Sequence, residues 1–455
     1  MQVVYIDQDL CTGCERCKEV CPADAISGEY GKPQAIDANK CVFCGQCIQI
    51  CNAFVSNHAK DNLCIKKKKK ERNMLSSVKE PLFAAYNIGH APLVKEKLRD
   101  KSLFKMVQCA PSVRVSIGED FGLAYGTVTP GKMAAALRRL GFDRVYDTNF
   151  GADMTIIEEV SELIKRMSEG ATLPMFTSCC PAWVKYVEYF YPALIPHLST
   201  CKSPHQMQGA LMKTYGAKID NVDPGCVYTV SVMPCTAKKF ECQRPEMEDS
   251  GYRDVDAVLT TRELAYLIKE AGIDFKALPE ENFDAPLGDY TGAGAIFGAA
   301  GGVMEAALRT GYEFITRNTI PKVDIEEVRI GTGVKRQNIK IGDREFRVVI
   351  VAGLKNARPL LEQVKEGKAD FDFMEVMACP AGCISGGGQP KVVITTDNFK
   401  AYEARKRAIY QHDKNLPFRK SHENPSIKKI YEEFLKEPLG EKSHHLLHTS
   451  YIPRS

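Results

Sequence analysis

Three short stretches, far apart in the chain, hold four cysteines that are of use only if the fold brings them together. They are Thr177-Ser-Cys-Cys-Pro-Ala-Trp183, Met233-Pro-Cys-Thr-Ala-Lys-Lys-Phe-Glu241 and Glu375-Val-Met-Ala-Cys-Pro-Ala-Gly-Cys-Ile-Ser-Gly-Gly-Gly-Gln-Pro390. No single stretch supplies four soft ligands. Together they offer Cys180, Cys235, Cys379 and Cys383, the thiolates that one cubane requires. A fold that gathers them builds a buried metal centre, and the rest of the chain reads as serving it.

The N-terminal region points the same way. Cys11-x-x-Cys14-x-x-Cys17-x-x-x-Cys21-Pro22 is followed by Cys41-x-x-Cys44-x-x-Cys47-x-x-x-Cys51. Three thiolates at this spacing hold three corners of one [4Fe-4S] cubane, and the fourth of each run crosses to the other cluster. The expected ligand sets are therefore Cys11, Cys14, Cys17 and Cys51, and Cys41, Cys44, Cys47 and Cys21. Zinc also uses C-x-x-C pairs, but two full four-cysteine runs in tandem weigh against it. Two adjacent clusters hold electrons and hand them on.

Bulk properties bound the rest. The 455 residues predict more than one domain. The eighteen cysteines fall in tight clusters, not in the spread of a disulfide framework, which points to metal and a reducing compartment. A net charge of +4, evenly distributed, gives no reason to expect nucleic acid. No basic and apolar leader opens the chain, and no stretch approaches the ~20 consecutive apolar residues of a membrane span. The expected location is cytoplasmic.

The predicted organisation is a small α+β two-cluster module over 1–56, a basic connector over 57–103, an α/β domain over 104–397 and a helical tail over 398–455. The α/β assignment rests on strands alternating with helices: Arg144–Asp147, Leu173–Thr177, Val227–Val232 and Arg347–Val351 read as strands, Lys132–Gly141 as a helix closed by glycine. Parallel sheets covered on both faces follow, with ligands beyond the carboxyl ends of strands. Lys66 to Arg72 reads as a solvated face, or as a docking patch for an acidic electron carrier. The glycines of Gly292–Gly298 and Gly386–Gly388 match no nucleotide-binding pattern and are expected to permit close backbone approach. The tail histidines read as hydrogen-bonded anchors. Residues 155–168 form an amphipathic helix, on which Glu159, Glu162 and Arg166 read as a solvated edge with a Glu162–Arg166 pair.

In order, the three motifs, the ferredoxin module before them and the tail after them resemble the [FeFe]-hydrogenases, in the compact form with two accessory clusters. The tail is similar to the small-subunit segment of that family. The resemblance implies a two-lobed catalytic domain with an H-cluster: a cubane joined through one cysteine sulfur to a two-iron unit carrying CO, CN and azadithiolate. It implies that Cys180, Cys235 and Cys379 hold the cubane and that Cys383 also bridges to the two-iron unit. Lys238 supplies a charged donor to the cyanide side, with Pro111, Ser112 and Ser203 as further contacts. Met233, Met377 and Phe297 form an apolar wall. Cys179, Glu159, Ser199, Glu162 and Arg166 match the family's proton path. The implied activity is reversible H2 oxidation and proton reduction, with ferredoxin or a similar carrier and maturation proteins as partners. A hydrogen-sensing, low-turnover member is the alternative. Ala182, His205 and Ala237 depart from the common pattern without removing a ligand.

Overall fold

A computed structural model of the chain describes residues 2–56, 63–392 and 397–454. The first residues of the expected connector, and a short piece just before the expected tail, thus lie outside the described residues.

Two four-stranded sheets carry the α/β region. The first is wholly parallel, in the order Ala257–Thr260, Val227–Met233, Phe104–Cys109, Arg144–Asp147. The second joins Gly333–Ile341, Arg344–Ala352, Phe373–Met377 and Met175–Phe176. Its last three strands run parallel, while Gly333–Ile341 pairs antiparallel along one edge. That edge strand alternates exposed and sheltered positions, as a strand with one wet face must. The central strands are β-branched runs buried on both faces, as helices on either side of a parallel sheet require.

The Thr148–Glu169 helix lies against both lobes. Asp147 caps its start by accepting from the Asn149 amide at 3.0 Å, and Gly170 ends it in the left-handed region. Ile156, Val160 and Leu163 pack into the apolar core beneath the second sheet, whereas Phe150, Met154 and Ile157 pack into a separate core with the tail residues Ile427, Tyr431 and Leu447. A helix apolar on two sides is buried nearly all round, so the edge carrying Glu159 and Glu162 is not solvated: these side chains are 1% and 7% exposed. The expectation of a solvated edge fails here, although the Glu162–Arg166 pair forms at 2.6 Å.

The ferredoxin-like module has two short helices, Arg16–Val20 and Gln46–Ile50, and a ribbon of Ile26–Ser27 with Ala35–Ile36. The region read as connector adds to it: Ala85–Asn87 pairs with Val4–Ile6, and Leu82–Phe83 with Phe54–Val55. The lysine run forms the Leu63–Glu71 helix, and part of it is not solvated. Lys68 and Arg72 are buried on Asp7, at 2.9 and 2.7 Å. The tail docks through its histidines as expected: His448 bonds Thr200 Oγ1 at 2.7 Å and Glu158 at 3.1 Å, and His422 bonds Glu313 at 2.8 Å.

Candidate metal centre

Each of the three motifs leaves the carboxyl end of a parallel strand. Thr177–Cys180 follows Met175–Phe176, Pro234-Cys235 follows Val227–Met233, and Ala378-Cys379 follows Phe373–Met377. The first two were expected; the strand before the third was not. Local bonds hold the turns. Trp183 Nε1 donates to the Thr177 carbonyl at 3.0 Å, and the Val376 amide donates to Thr177 Oγ1 at 3.3 Å. Glu375 accepts from the Gly301 and Met304 amides, both at 2.7 Å, and so pins the Gly302–Thr316 helix to the third motif.

The ends of the strands enclose a cavity of about 80 Å³ where Cys180, Cys235, Cys379 and Cys383 converge. Burial pushes all four thiols up, the Cys235 thiol to about 12, and each faces at least one of the others. Four thiols drawn from three separate stretches converge on this one cavity. They fit a group that takes their negative charge. Met233, Met377, Phe297, Pro111 and Ser112 also line the cavity, and Cys179 opens onto it. Ser203 does not; its neighbours Pro204 and His205 form that wall. The hydroxyls of both Ser112 and Ser203 are buried without a hydrogen-bond partner. An unpaired buried hydroxyl costs stability unless a ligand accepts its bond. Lys238 Nζ reaches the cavity between the Cys179 carbonyl at 3.1 Å and Glu241 at 2.8 Å. Thiols, unspent donors and one ammonium are what an anionic iron–sulfur group with cyanide ligands would need, and the residues present fit it.

Reading the residues alone missed the partners of Lys238. His205 Nε2 meets Glu241 Oε2 at 2.5 Å and His205 Nδ1 meets Ser231 Oγ at 3.2 Å. Burial and the Lys238 charge press the His205 imidazole down to about 4. Burial alone would raise the Glu241 carboxyl, but Lys238 and His205 outweigh it and bring it to about 2. The signal was present: Glu241 lies three residues after Lys238, one helical turn away.

The residues matched to the proton path lie together. Arg166 Nη2 donates to Glu162 Oε1 at 2.6 Å, and Ser199 Oγ donates to Glu162 Oε2 at 2.9 Å. Glu159 makes no hydrogen bond of its own. Burial first, then the charge of Glu162, push its carboxyl up to about 8. Glu159 is in turn the first charged group facing Cys179.

The N-terminal thiols sort into the two expected sets. Cys17 faces Cys11, Cys51 and Cys14; Cys41 faces Cys21, and Cys44 faces Cys41 and Cys21. Cys44 also faces Cys235, and Cys379 faces Cys44. The second set therefore adjoins the cavity. Glycines permit that contact: a Cβ on Gly387 would lie 2.6 Å from the Cys44 carbonyl oxygen and from Gly45 Cα. Gln46 and Gln49 close the joint by donating to the carbonyls of Ser385 and Gly386 at 3.1 and 2.8 Å.

Residues 104–387 match the family described as iron only hydrogenase large subunit, C-terminal domain. Residues 399–454 match the iron hydrogenase small subunit, and residues 3–52 a 4Fe-4S dicluster domain. The chain is 44% identical to the NADP-reducing hydrogenase subunit HndD of Solidesulfovibrio fructosivorans, over 98% of this chain and 74% of that one. It is 40% identical to iron hydrogenase 1 of Clostridium pasteurianum, over 93% and 76%. Its fold is similar to that of the solved [FeFe]-hydrogenase HydA1 of Chlamydomonas reinhardtii, with a TM-score of 0.71 and 41% identity over 81% of this chain and all of that one. The chain belongs to the [FeFe]-hydrogenase family: it is an oxidoreductase acting on H2, with an H-cluster and a pair of [4Fe-4S] clusters.

Proposed function

We propose that the chain interconverts H2 with protons and electrons at the four-thiol cavity, and that separate parts of the chain bring each. Cys180, Cys235, Cys379 and Cys383 would hold the cubane, with Cys383 also serving the two-iron unit. When bound, that cofactor supplies the metal and amine chemistry that makes or splits H2. The protein's own residues do the rest. Lys238 and Ser112 donate toward the cyanide side, and Met233, Met377 and Phe297 keep water out. Protons pass inward through Arg166, Glu162, Ser199 and Glu159 to Cys179. A carboxyl poised at about 8 takes and returns protons near neutral pH, which is the task of an inner relay member. The Cys11, Cys14, Cys17 and Cys51 set and the Cys41, Cys44, Cys47 and Cys21 set would each hold a [4Fe-4S] cluster, which would supply electron transfer toward the cavity that Cys44 faces at Cys235. A ferredoxin-like carrier meets the exposed side of Cys14. The chain works in the cytoplasm, where its thiols stay reduced, and maturation proteins load the two-iron unit. One observation carries this reading: four thiols from three separate motifs converge on one cavity, with Glu159 facing Cys179 and Cys44 facing Cys235.

H2 evolution from reduced ferredoxin and from reduced methyl viologen tests it. Cys179→Ala and Glu159→Gln are expected to lose at least ~10² in rate with either donor. A Glu159→Gln enzyme at the wild-type rate contradicts the relay. Viologen-driven evolution that ferredoxin cannot support contradicts the carrier.

A further inference from the structure

On the proposed relay, at Glu162, lies a group of metal-ligand types of which two, Cys201 and His448, have no part in the proposed reaction. Glu162, Cys201 and His448 each offer one ligand atom, and these atoms lie within 4.8 Å of one another. All three residues are buried, at 7%, 0% and 3% exposure. The backbone sets two of them: Cys201 and His448 face each other across an antiparallel bridge. The third is close, with Cys201 Sγ 3.9 Å from Glu162 Oε2. A buried polar group without a partner lies beside them. Glu158, Glu159 and Glu162 are the charged groups that face the Cys201 thiol, and both oxygens of Glu159 are buried without a partner. Of these, Glu162 is paired to Arg166 and Glu158 to His448, while burial pushes Glu159 up to about 8.

We propose that Glu162, Cys201 and His448 form a binding site for a borderline-soft divalent cation, zinc above others, set on the proton relay. Thiolate, imidazole and carboxylate are the three ligand types of tetrahedral zinc, with the fourth position left for water. Charge balances: the Cys201 proton leaves to solvent, the thiolate and the Glu162 carboxylate neutralise Zn²⁺, and the His448 imidazole binds through a ring nitrogen that gives up its hydrogen bond, to Thr200 at Nδ1 or to Glu158 at Nε2. The exposed His444 ring stacks on His448 at 4.7 Å and offers a way in from the surface. Occupancy ties up Glu162 Oε2, which otherwise accepts from Ser199 at 2.9 Å. Zinc therefore blocks turnover, a consequence that rests on the proposed relay.

Zinc-edge X-ray absorption of the enzyme with its clusters intact, given one equivalent of Zn²⁺, tests the site directly. The expected shell contains a single sulfur at about 2.3 Å with nitrogen and oxygen neighbours. In Cys201→Ala that sulfur is absent. Turnover of the wild type is expected to fall roughly tenfold or more with zinc and to return with a chelator, whereas Cys201→Ala keeps its rate. A zinc shell without sulfur in the wild type, or one unchanged by Cys201→Ala, overturns the site. The wild-type spectrum decides the matter even if the variant folds poorly. A single-sulfur shell with unslowed turnover keeps the site and removes Glu162 from the relay.

Discussion

Glu159 is a carboxyl buried with no hydrogen bond, next to another carboxylate. Its neutral form is favoured, so the folded state holds a proton that the unfolded state releases near the ordinary value of 4.5. The sign follows: between about 4.5 and about 8 the unfolded chain binds fewer protons, and stability falls as pH rises. Glu159→Gln removes this penalty. Its melting temperature is expected to exceed that of the wild type most at alkaline pH, by up to the equivalent of about 5 kcal/mol, and to converge with it in acid. A variant that gains stability while losing turnover is the mark of a group kept for function. Thermal melts across pH check this, and a gap that does not change with pH contradicts it. The residue types of the path were legible once the motifs had named the family. Their burial was not. The spacing of Glu159, Glu162 and Arg166 reads as an open edge because a helix's own periodicity does not reveal a second apolar neighbour. His205 was legible only as a departure; its place beside Glu241 depends on the packing of two separate elements.

At the scale of elements, the joint between the ferredoxin module and the third motif is made by backbone against backbone. Gly387→Ala forces Cys44 and Gly45 away, because no flexible side chain can yield. The expected result is a loss of about 1–3 kcal/mol in stability and slower H2 evolution with a protein carrier. A variant with wild-type carrier-driven rates contradicts the joint. The Leu63–Glu71 helix makes a second joint, through Asp7. Lys68 and Arg72 hold the Asp7 carboxyl below its ordinary range against the effect of burial. Its contribution is present above about pH 4 and is lost as pH falls through the lowered value. Asp7→Asn leaves two buried cations short of a partner and is expected to cost about 2 kcal/mol at neutral pH, measured by denaturant unfolding. The lysine run was visible as charge, but its partners lie some sixty residues upstream, so no local pattern names them. Four of the eight strands of the two sheets were legible as short apolar runs before loops. Phe373–Met377 was not, since Phe-Met-Glu-Val-Met fits a buried helix turn as well as a strand.

Across the whole molecule, three sets of four thiols adjoin in sequence, and the helix carrying Glu159 and Glu162 reaches the last of them from another side. The tandem cysteine runs made the two N-terminal sets legible in full. Which set meets the cavity was not, because that depends on the Gly45–Gly387 contact and not on any spacing in the chain. The same holds for the site as a whole: four cysteines were named from three motifs, and the fold supplied the reason they meet. The measurement that bears most directly on this account is infrared spectroscopy of protein matured with the two-iron cofactor, with H2 evolution from reduced methyl viologen assayed on the same sample. The account predicts CO and CN bands together with rapid evolution. Bands with negligible turnover would contradict the relay and favour a hydrogen sensor. Intact cubanes with no such bands would contradict the assignment of Cys383, Lys238 and Ser112 to the two-iron unit.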